Sequence, residues 1–563
     1  MTTTPTVITT PPTERPARTA DAVTTHTLLN CLIREASAPE HQVTVDEDHL
    51  LLRLPRRDLL LRVRLRRVSL IGAHRFQGPV QRLDGDAWAT VDWRELARYV
   101  QDELELRTGI TNDEFLDQVA DSRETIRTAL EQRAHSAPQA DAYVASEQSL
   151  VFGHRFHPTP KARTGDPKDW LAYGPETGAR FSLRHLAVRR PLVRQEGDLR
   201  ELDALCPVAD PGFVTLPVHP WQYRLLSDHP PLRAAMAAGD IVDMGVSGPQ
   251  SVPTASVRTL YQPDADTFLK FSLNVRLTNC LRKHARYELS GAVALNRIVQ
   301  PVIAGFADRF SGCALLAEPG YRTLDIDDDT DLLEGLAVIV RSGLHPHLRP
   351  GVTPLLAAAI ADEYPTGTAH VSHLLARGEG DVLAWWDAYL GLLLPPVLAA
   401  YFEYGVVLEP HLQNVVVGVR ADGTPAQMLF RDLEGTKLLP THHWRSLAAL
   451  PEDVRTALTY DAERGWNRVA YCLLVNHTAE LLGALADLRP ELEPALWGLV
   501  RDHLDAYAHT AGEPPRLRAL LSGVPLPAKA NLLLRWARQA DRHATYVPLP
   551  SPLGADFLRE VTQ

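Results

Sequence analysis

From Asp48 to Gly72 the chain reads DHLLLRLPRRDLLLRVRLRRVSLIG, leucine or valine in near-alternation with arginine. A period of two puts apolar groups on one side and charges on the other, which predicts strands with one wet face. Arg94–Ala134 then carries helix formers with apolar residues three and four apart. Residues 25–140 are therefore expected to form an α+β unit, and they hold no obvious chemistry. Ahead of them, MTTTPTVITTPPTERPARTA is rich in Thr and Pro and lacks the apolar core of a signal peptide. Residues 1–24 read as a disordered tail. From about Asp141 the composition shifts toward His, Pro, Gly and short strands, a second unit over 141–330. Residues 331–563 read as mainly helical, interrupted near Tyr404–Gly435 by a β-hairpin.

Composition narrows the classes. A chain of 563 residues with 45% hydrophobic content can bury a substantial core, and its formal charge of −11 with a pI near 6.1 argues against a non-specific nucleic-acid binder. The five cysteines, Cys31, Cys206, Cys280, Cys313 and Cys472, form no CxxC, so neither a thiolate metal site nor an iron–sulfur centre is expected. No apolar run reaches the ~18–20 residues of a membrane helix, and the nearest, Leu390–Ala400, holds two prolines. The expectation is a cytoplasmic protein with no membrane partner.

The segment EYGVVLEPHLQNVVVGVRADGTPAQMLFRDLEG (Glu403–Gly435) is the most informative. Val415–Val419 and Gln427–Phe430 read as strands joined by a turn at Asp422-Gly423. Asn414 and Asp432 are then equidistant from Gly423 and face each other at the open end, with Glu409, His411 and Gln413. Hard oxygen ligands converging there suit Mg²⁺ carrying nucleotide phosphates, the logic protein kinases use at a short hairpin.

A second constellation lies in SVPTASVRTLYQPDADTFLKFSLNVRLTNCLRK (Ser251–Lys283). Phe271, Leu273 and Val275 alternate with Lys270, Ser272 and Asn274, a half-buried strand with Lys270 on its polar side. At ~3.3 Å per residue a continuous strand would carry Thr278 some ~26 Å from Lys270. One ligand can touch both only if the chain turns near Arg276–Asn279, with Arg282 beginning a helix. Ser256, Arg258 and Thr259 precede. Hydroxyls and guanidinium groups beside a lysine form a phosphate or carboxylate clamp, although a basic strand is also a common solvated face.

Third, GHRFHPTPKARTG (Gly153–Gly165) spaces His154 and His157 three apart, with Lys161 and Arg163 following. Pro158 and Pro160 break any helix that would aim both rings at one metal, so a cationic loop holding an anion is the better reading. In LPVHPWQY, His219 and Trp221 read as structural.

Together, GHRFHPTPK, PTASVRT, KFSLNVRLTNCLRK, EPHLQN and RDLEG resemble, in that order, the NRPS-independent siderophore synthetases, the aerobactin-synthetase-like IucA/IucC family. The resemblance implies a three-part hand: a thumb over 25–140, fingers over 141–330, and a kinase-reminiscent palm over 331–563. It implies an enzyme of iron acquisition that uses ATP and Mg²⁺, activates a carboxylate as an acyl-adenylate and passes the acyl group to an amine, hydroxylamine or alcohol, and it suggests a homodimer. By resemblance Ser256, Arg258, Thr259 and Lys270 hold ATP phosphates, and His411 and Gln413 complete the nucleotide pocket. Glu409, Asn414 and Asp432 arrange Mg²⁺. Thr278 and Arg282 sit where carboxylate meets α-phosphate, with Arg282, Lys270 and His411 as the catalytic groups. His154, His157 and Lys161 face the carboxylate substrate, and Arg468 is a further candidate. Lys529, in LPAKANLLLRW, reads equally as a helix-start lysine or a carboxylate contact. One departure stands out: the family often shows HP after the loop glycine, whereas here Arg155 follows His154.

Two other classes stay open at this level. A kinase-like phosphotransferase would suit the hairpin, but neither a Gly-rich loop with a strand lysine of the protein-kinase type nor an HRD is found. A non-catalytic anion- or siderophore-binding protein would turn over no nucleotide. Free citrate, a citryl derivative, a succinylated hydroxamate and 2-oxoglutarate all fit as the carboxylate, with an already derivatised one favoured.

Overall fold

The computed structural model describes residues 19–137, 139–277, 280–362, 370–378, 380–539 and 545–554. The alternating arginines and leucines near the N-terminus form what their period requires. Val43–Asp46, His49–Leu54, Leu59–Arg67, Arg75–Asp84 and Ala87–Val91 make a five-stranded antiparallel sheet in sequence order. Leu50, Leu52, Leu54, Leu61 and Val63 face inward onto the helices Ala20–Leu32 and Trp93–Thr108. Leu532 and Trp536, from the far end of the chain, complete this core. The N-terminal helix runs into a wide turn, Ile33–Ser37, that buries Arg34 and Glu35.

The middle of the chain builds an eight-stranded sheet in the order Val193–Gly197, Gly320–Leu324, Val338–Arg341, Thr267–Phe271, Thr259–Gln262, Ile241–Pro253, Phe181–Arg189, Phe213–Val218. The strand carrying Lys270 is central and buried on both faces, not half-wet: Lys270 itself is 1% exposed. Ser272 interrupts the alternation, and Leu273–Leu277 leaves to pair antiparallel with Cys280–Arg282. The chain reverses where the sequence required it. Arg282, however, ends a strand and does not begin a helix. The helix Arg286–Arg309 starts later because Glu288 turns back to accept the Ala285 N–H at 2.9 Å, a capping arrangement that fixes the first turn.

The hairpin Val415–Val419/Pro425–Phe430 belongs to a four-stranded sheet with Thr353–Leu356 on one side and Cys313–Leu315, running parallel, on the other. Around 330 the two sheets interleave: Cys313–Leu315 joins the hairpin, whereas Gly320–Leu324 and Val338–Arg341 return to the eight-stranded sheet. Behind the hairpin runs the helix Val382–Phe402, which passes through Pro395 and Pro396 and buries Trp385, Trp386 and Tyr389. Those prolines do not end it, so the apolar run is longer than it reads in the sequence. Arg286–Phe306, Val382–Phe402 and Ala462–Ala486 are all long and apolar enough to cross a membrane by length and composition. Here the second and third lie largely inside the fold, 61% and 89% buried, and the first is 44% buried.

Candidate active site

A cavity of about 780 Å³ opens between the eight-stranded sheet, the hairpin mouth and the C-terminal helices. Its walls include His154, His157, Lys161, Ser256, Arg258, Lys270, Arg282, Glu409, His411, Gln413, Asn414, Asp432, Arg468 and Lys529. Residues far apart in sequence are thus gathered at one place. Thr259 is the exception among the described candidates. It is buried in register with Lys270, and its N–H donates to Ser256 Oγ at 3.2 Å while its carbonyl accepts from Thr254, so it braces the loop from behind. Thr278 lies outside the described residues.

At one end the hairpin delivers Asp432. Val415 pairs with Phe430, so Asn414 lies opposite Arg431, whose N–H donates to the Asn414 carbonyl at 3.0 Å. The turn centres on Asp422, with Val419 paired to Pro425, and after the register shift at Gly418/Val419 Asp432 still lies one step beyond the pairing that equal counting from Gly423 implied. Asp432 has φ 76°, and Val257 in the facing loop has φ 68°. Left-handed backbone is costly for both, most of all for a β-branched valine, and such strain concentrates where a site needs it.

Lys270 Nζ reaches Asp432 Oδ1 at 2.6 Å and Glu434 Oε2 at 2.8 Å. Burial alone would lower its pKa, but those two carboxylates hold it above the ordinary lysine value. Arg258 Nη2 donates to the same Glu434 oxygen at 2.6 Å. Burial would raise the Glu434 pKa, yet Arg258 and Lys270 keep it well below the usual range, and Asp432 is depressed likewise by Lys270 and Arg341. Arg341 is itself anchored by the fully buried Glu318, at 2.6 and 2.9 Å. Behind this group Arg431 pairs with Glu147 at 2.5 Å, and Glu147 accepts the Ala255 N–H at 3.0 Å, which ties hairpin to loop. Arg282 lines the cavity with its Nε buried and without a hydrogen-bond partner. Glu288, on the same wall, is pushed up to about 7 by burial and then by the nearby Glu434.

Asp432 and Glu434 suit a hard divalent cation, since both carboxylates reach one point now held by an ammonium group. Asn414 adds an amide whose Nδ2 donates to the Glu409 carbonyl at 3.2 Å. The Glu409 carboxylate turns elsewhere, to Arg468 Nε at 3.2 Å, and it packs so closely on Gly435 that a Cβ there would stand 2.3 Å from its Oε2. Among the described residues no three His, Cys, Asp or Glu side chains gather to hold a metal by themselves.

The Gly153–Gly165 loop forms another wall, but with different charges from those expected. Lys161 and Arg163 both donate to Glu176, and Lys161 Nζ also donates to the Leu150 carbonyl at 2.6 Å. Burial pushes the Glu176 pKa up, but Arg163 and Lys161 bring it down to about 2. Glu176 therefore already occupies these cations, which corrects the reading of Lys161 as an open substrate contact. The histidines are neutral. The Phe156 N–H donates to His154 Nδ1 at 3.0 Å and the Thr159 N–H to His157 Nδ1 at 3.2 Å, so each ring carries its proton on Nε2. Burial lowers His154 to about 4 and depresses His411 as well. His154 Nε2 stands 2.9 Å from the Asn476 amide, which fixes that amide with its oxygen toward the ring. Sequence reasoning missed Glu434, Glu288, Glu176, Glu318 and Asn476. For Glu434 the signal was present, two residues after Asp432 in RDLEG.

Cationic side chains, a carboxylate pair and a wall of neutral histidines thus surround one cavity. The pattern of the IucA / IucC family matches residues 142–362, and that of the ferric iron reductase FhuF-like transporter matches residues 383–544. The rhizobactin siderophore biosynthesis protein RhbC of Rhizobium meliloti is 29% identical over 95% of this chain and 98% of its own length. The L-2,3-diaminopropanoate–citrate ligase of Staphylococcus aureus is 29% identical over 73% of this chain and 75% of its own. In fold, the ATP-bound aerobactin synthetase IucA of Klebsiella pneumoniae superposes with a TM-score of 0.85 at 24% identity, covering 95% of this chain and 99% of that one. Residues 142–362 thus carry the IucA / IucC family pattern, and along nearly its whole length the chain is similar to siderophore biosynthesis proteins.

Proposed function

We propose that this chain is an ATP-dependent siderophore synthetase that adenylates a carboxylate and condenses it with an amine or hydroxylamine. The observation that carries the reading is the single cavity shared by a buried cationic clamp, Arg258 and Lys270, and the partnerless Arg282 Nε. Relatives named as ligases of citrate with L-2,3-diaminopropanoate and with spermidine support the substrate classes. In this reading the 25–140, 141–330 and 331–563 segments act as thumb, fingers and palm.

Arg258 and Lys270 receive the nucleotide phosphates in place of Glu434. A carboxylate oxygen attacks the α-phosphorus, the bond to pyrophosphate breaks, and Arg282 steadies the charge where the two anions meet. His154, its Nε2 held by Asn476, and His157 line the acid's side of the cavity as neutral rings, so they shape it without adding charge. The amine nitrogen then attacks the acyl carbon and AMP leaves, with the amine proton passing out of the site. Asp432, with Asn414 and Glu434, would hold Mg²⁺, which neutralises phosphate charge when bound. A closed cavity protects the acyl-adenylate from water.

The test is incubation with ATP, Mg²⁺ and a panel of carboxylates and amines. AMP, pyrophosphate and an amide are expected, and Lys270→Ala should lower carboxylate-dependent pyrophosphate exchange by about 10²–10³. ADP as the nucleotide product would overturn the proposal in favour of a phosphotransferase.

A further inference from the structure

The neutral histidine wall holds a polar group that the reading above leaves unused. The chain from Ala462 to Ala486 is helical throughout, but Tyr471–Thr478 winds as a π-helix. In an α-helix, residues five apart point roughly 140° away from each other. The wider i→i+5 winding brings Tyr471 and Asn476 round to one side, where they meet at 3.3 Å, and such turns recur at functional sites. Both side chains line the cavity, and Asn476 is the one residue of Tyr471–Thr478 that is not buried.

The sense of the Asn476 amide follows from its neighbours. His154 Nδ1 accepts the Phe156 N–H at 3.0 Å, so the neutral ring is a donor at Nε2, 2.9 Å from the amide. A donor there requires the facing amide atom to be the oxygen. The Tyr471 hydroxyl meets the same atom, and burial pushes its pKa up, so it stays a donor as well. The NH2 group is therefore the end turned away from both rings, and it has no hydrogen-bond partner among the described residues. An NH2 group offers N–H donors and accepts nothing, so it suits an acceptor oxygen and not an ammonium group. Glu480, one helical turn on, is already taken up by Arg155 Nε at 2.8 Å. No hydrogen bond of this wall runs to Arg258, Lys270, Asp432 or Glu434 among the described residues. We propose that the Asn476 NH2 group binds a carboxylate oxygen of the acid substrate, with His154 and Tyr471 as the positioning residues that turn it toward the cavity. The acid is then recognised at this wall by a neutral donor, and the histidine acts through the amide.

This inference rests on the synthetase reading, and the experiment tells the two apart. Pyrophosphate exchange is measured without any amine, over a panel of acids headed by citrate. The KM values for the best acid and for ATP are read, because a KM does not change with the fraction of protein that is folded. Asn476→Asp keeps the shape and an oxygen for His154 and Tyr471, but it turns a second oxygen toward the acid. It should raise the acid's KM by about tenfold or more and leave that for ATP within about twofold. Asn476→Ala removes the donor and frees the His154 Nε2–H, so its rise should be smaller, about threefold. A purely structural asparagine predicts the reverse order, since alanine disturbs the packing more, and that order would overturn the inference. So would an acid KM unmoved by Asn476→Asp, which would mean that the oxygen already faces the cavity, or a rise for ATP alone, which would assign the amide to the nucleotide. No exchange in the wild type with any acid would sink the synthetase reading and this inference together.

Discussion

Two clusters of buried arginine and carboxylate stand at opposite roles in this molecule. In the first, Asp487 accepts from Arg66 at 2.9 Å, Arg67 at 2.9 Å and Arg75 at 3.0 Å, while Glu493 pairs with Arg67 and accepts from Ser69 Oγ at 3.2 Å and Leu70 N at 3.0 Å. Its members come from the N-terminal sheet and the C-terminal helices, and Arg67, Arg75 and Asp487 are under 5% exposed. In the second, Arg258 and Lys270 meet Asp432 and Glu434. The residue types and distances are alike. The surroundings are not. The first cluster lines no part of the large cavity and none of its charged residues has a positive φ, whereas the second lines about 780 Å³ of space and includes Asp432 at φ 76° beside a loop with Val257 at φ 68°. Buried charge alone does not mark a site. Buried charge with room for a ligand and strained backbone holding it does.

The comparison can be broken most decisively at Asp487. Asp487→Ala removes the carboxylate that three arginines share, of which Arg67 keeps Glu493, and should cost about 3–5 kcal/mol of stability, seen as a lower urea midpoint, while the folded fraction keeps its pyrophosphate exchange. A stable variant without exchange would erase the distinction. The reverse is expected of Asp432→Asn. Lys270 keeps Glu434 as a partner and water can enter the cavity, so stability should change by about 1 kcal/mol or less while turnover falls by about 10²–10³. A large drop in the denaturation midpoint at normal turnover would make this second cluster structural as well.

Acid should separate the molecule's buried groups more gently. His74, His154 and His477 are lowered from 6.5 to about 4 by burial. A base whose folded pKa is depressed contributes stability that is complete above 6.5 and lost as pH falls toward 4. In Asp487, burial acts to raise the pKa, but Arg75, Arg66 and Arg67 outweigh it and bring the acid down to about 2, so the clamp persists to lower pH and is lost between 3.8 and 2. Urea midpoints should therefore decline first between pH 6.5 and 4, by about 1.4 kcal/mol per unit for each histidine that titrates, and again below 3.8. A flat profile down to pH 4 would place protonated histidines inside the fold.

Much of this was legible in the sequence for local reasons. Period-two alternation gave away the N-terminal strands, and Asp422-Gly423 between two apolar runs marked the hairpin that delivers Asn414 and Asp432. What could not be read depends on partners distant in the chain. Lys270 looks solvated because its neighbours Ser272 and Asn274 are polar, yet strands on both sides bury it. Lys161 and Arg163 look available because Glu176 lies beyond the loop, after a helix. Arg155 looks like a mere departure from a pattern until Glu480 is brought to it across the fold. Charge tells its role only once its counter-charge is located.

The parallel pairing of Cys313–Leu315 with Pro425–Phe430 has a consequence for how the protein is made. On the ribosome, the first of these strands emerges long before the second and waits as an open edge. The middle of the chain cannot finish as an independent unit, because one of its strands is reserved for a hairpin not yet synthesised. The carboxylates of that hairpin are thus installed late, against a sheet already holding Lys270 and Arg258. Assembly of the site becomes one of the closing events of biosynthesis, and until then the unfinished chain depends on protection of its exposed edge.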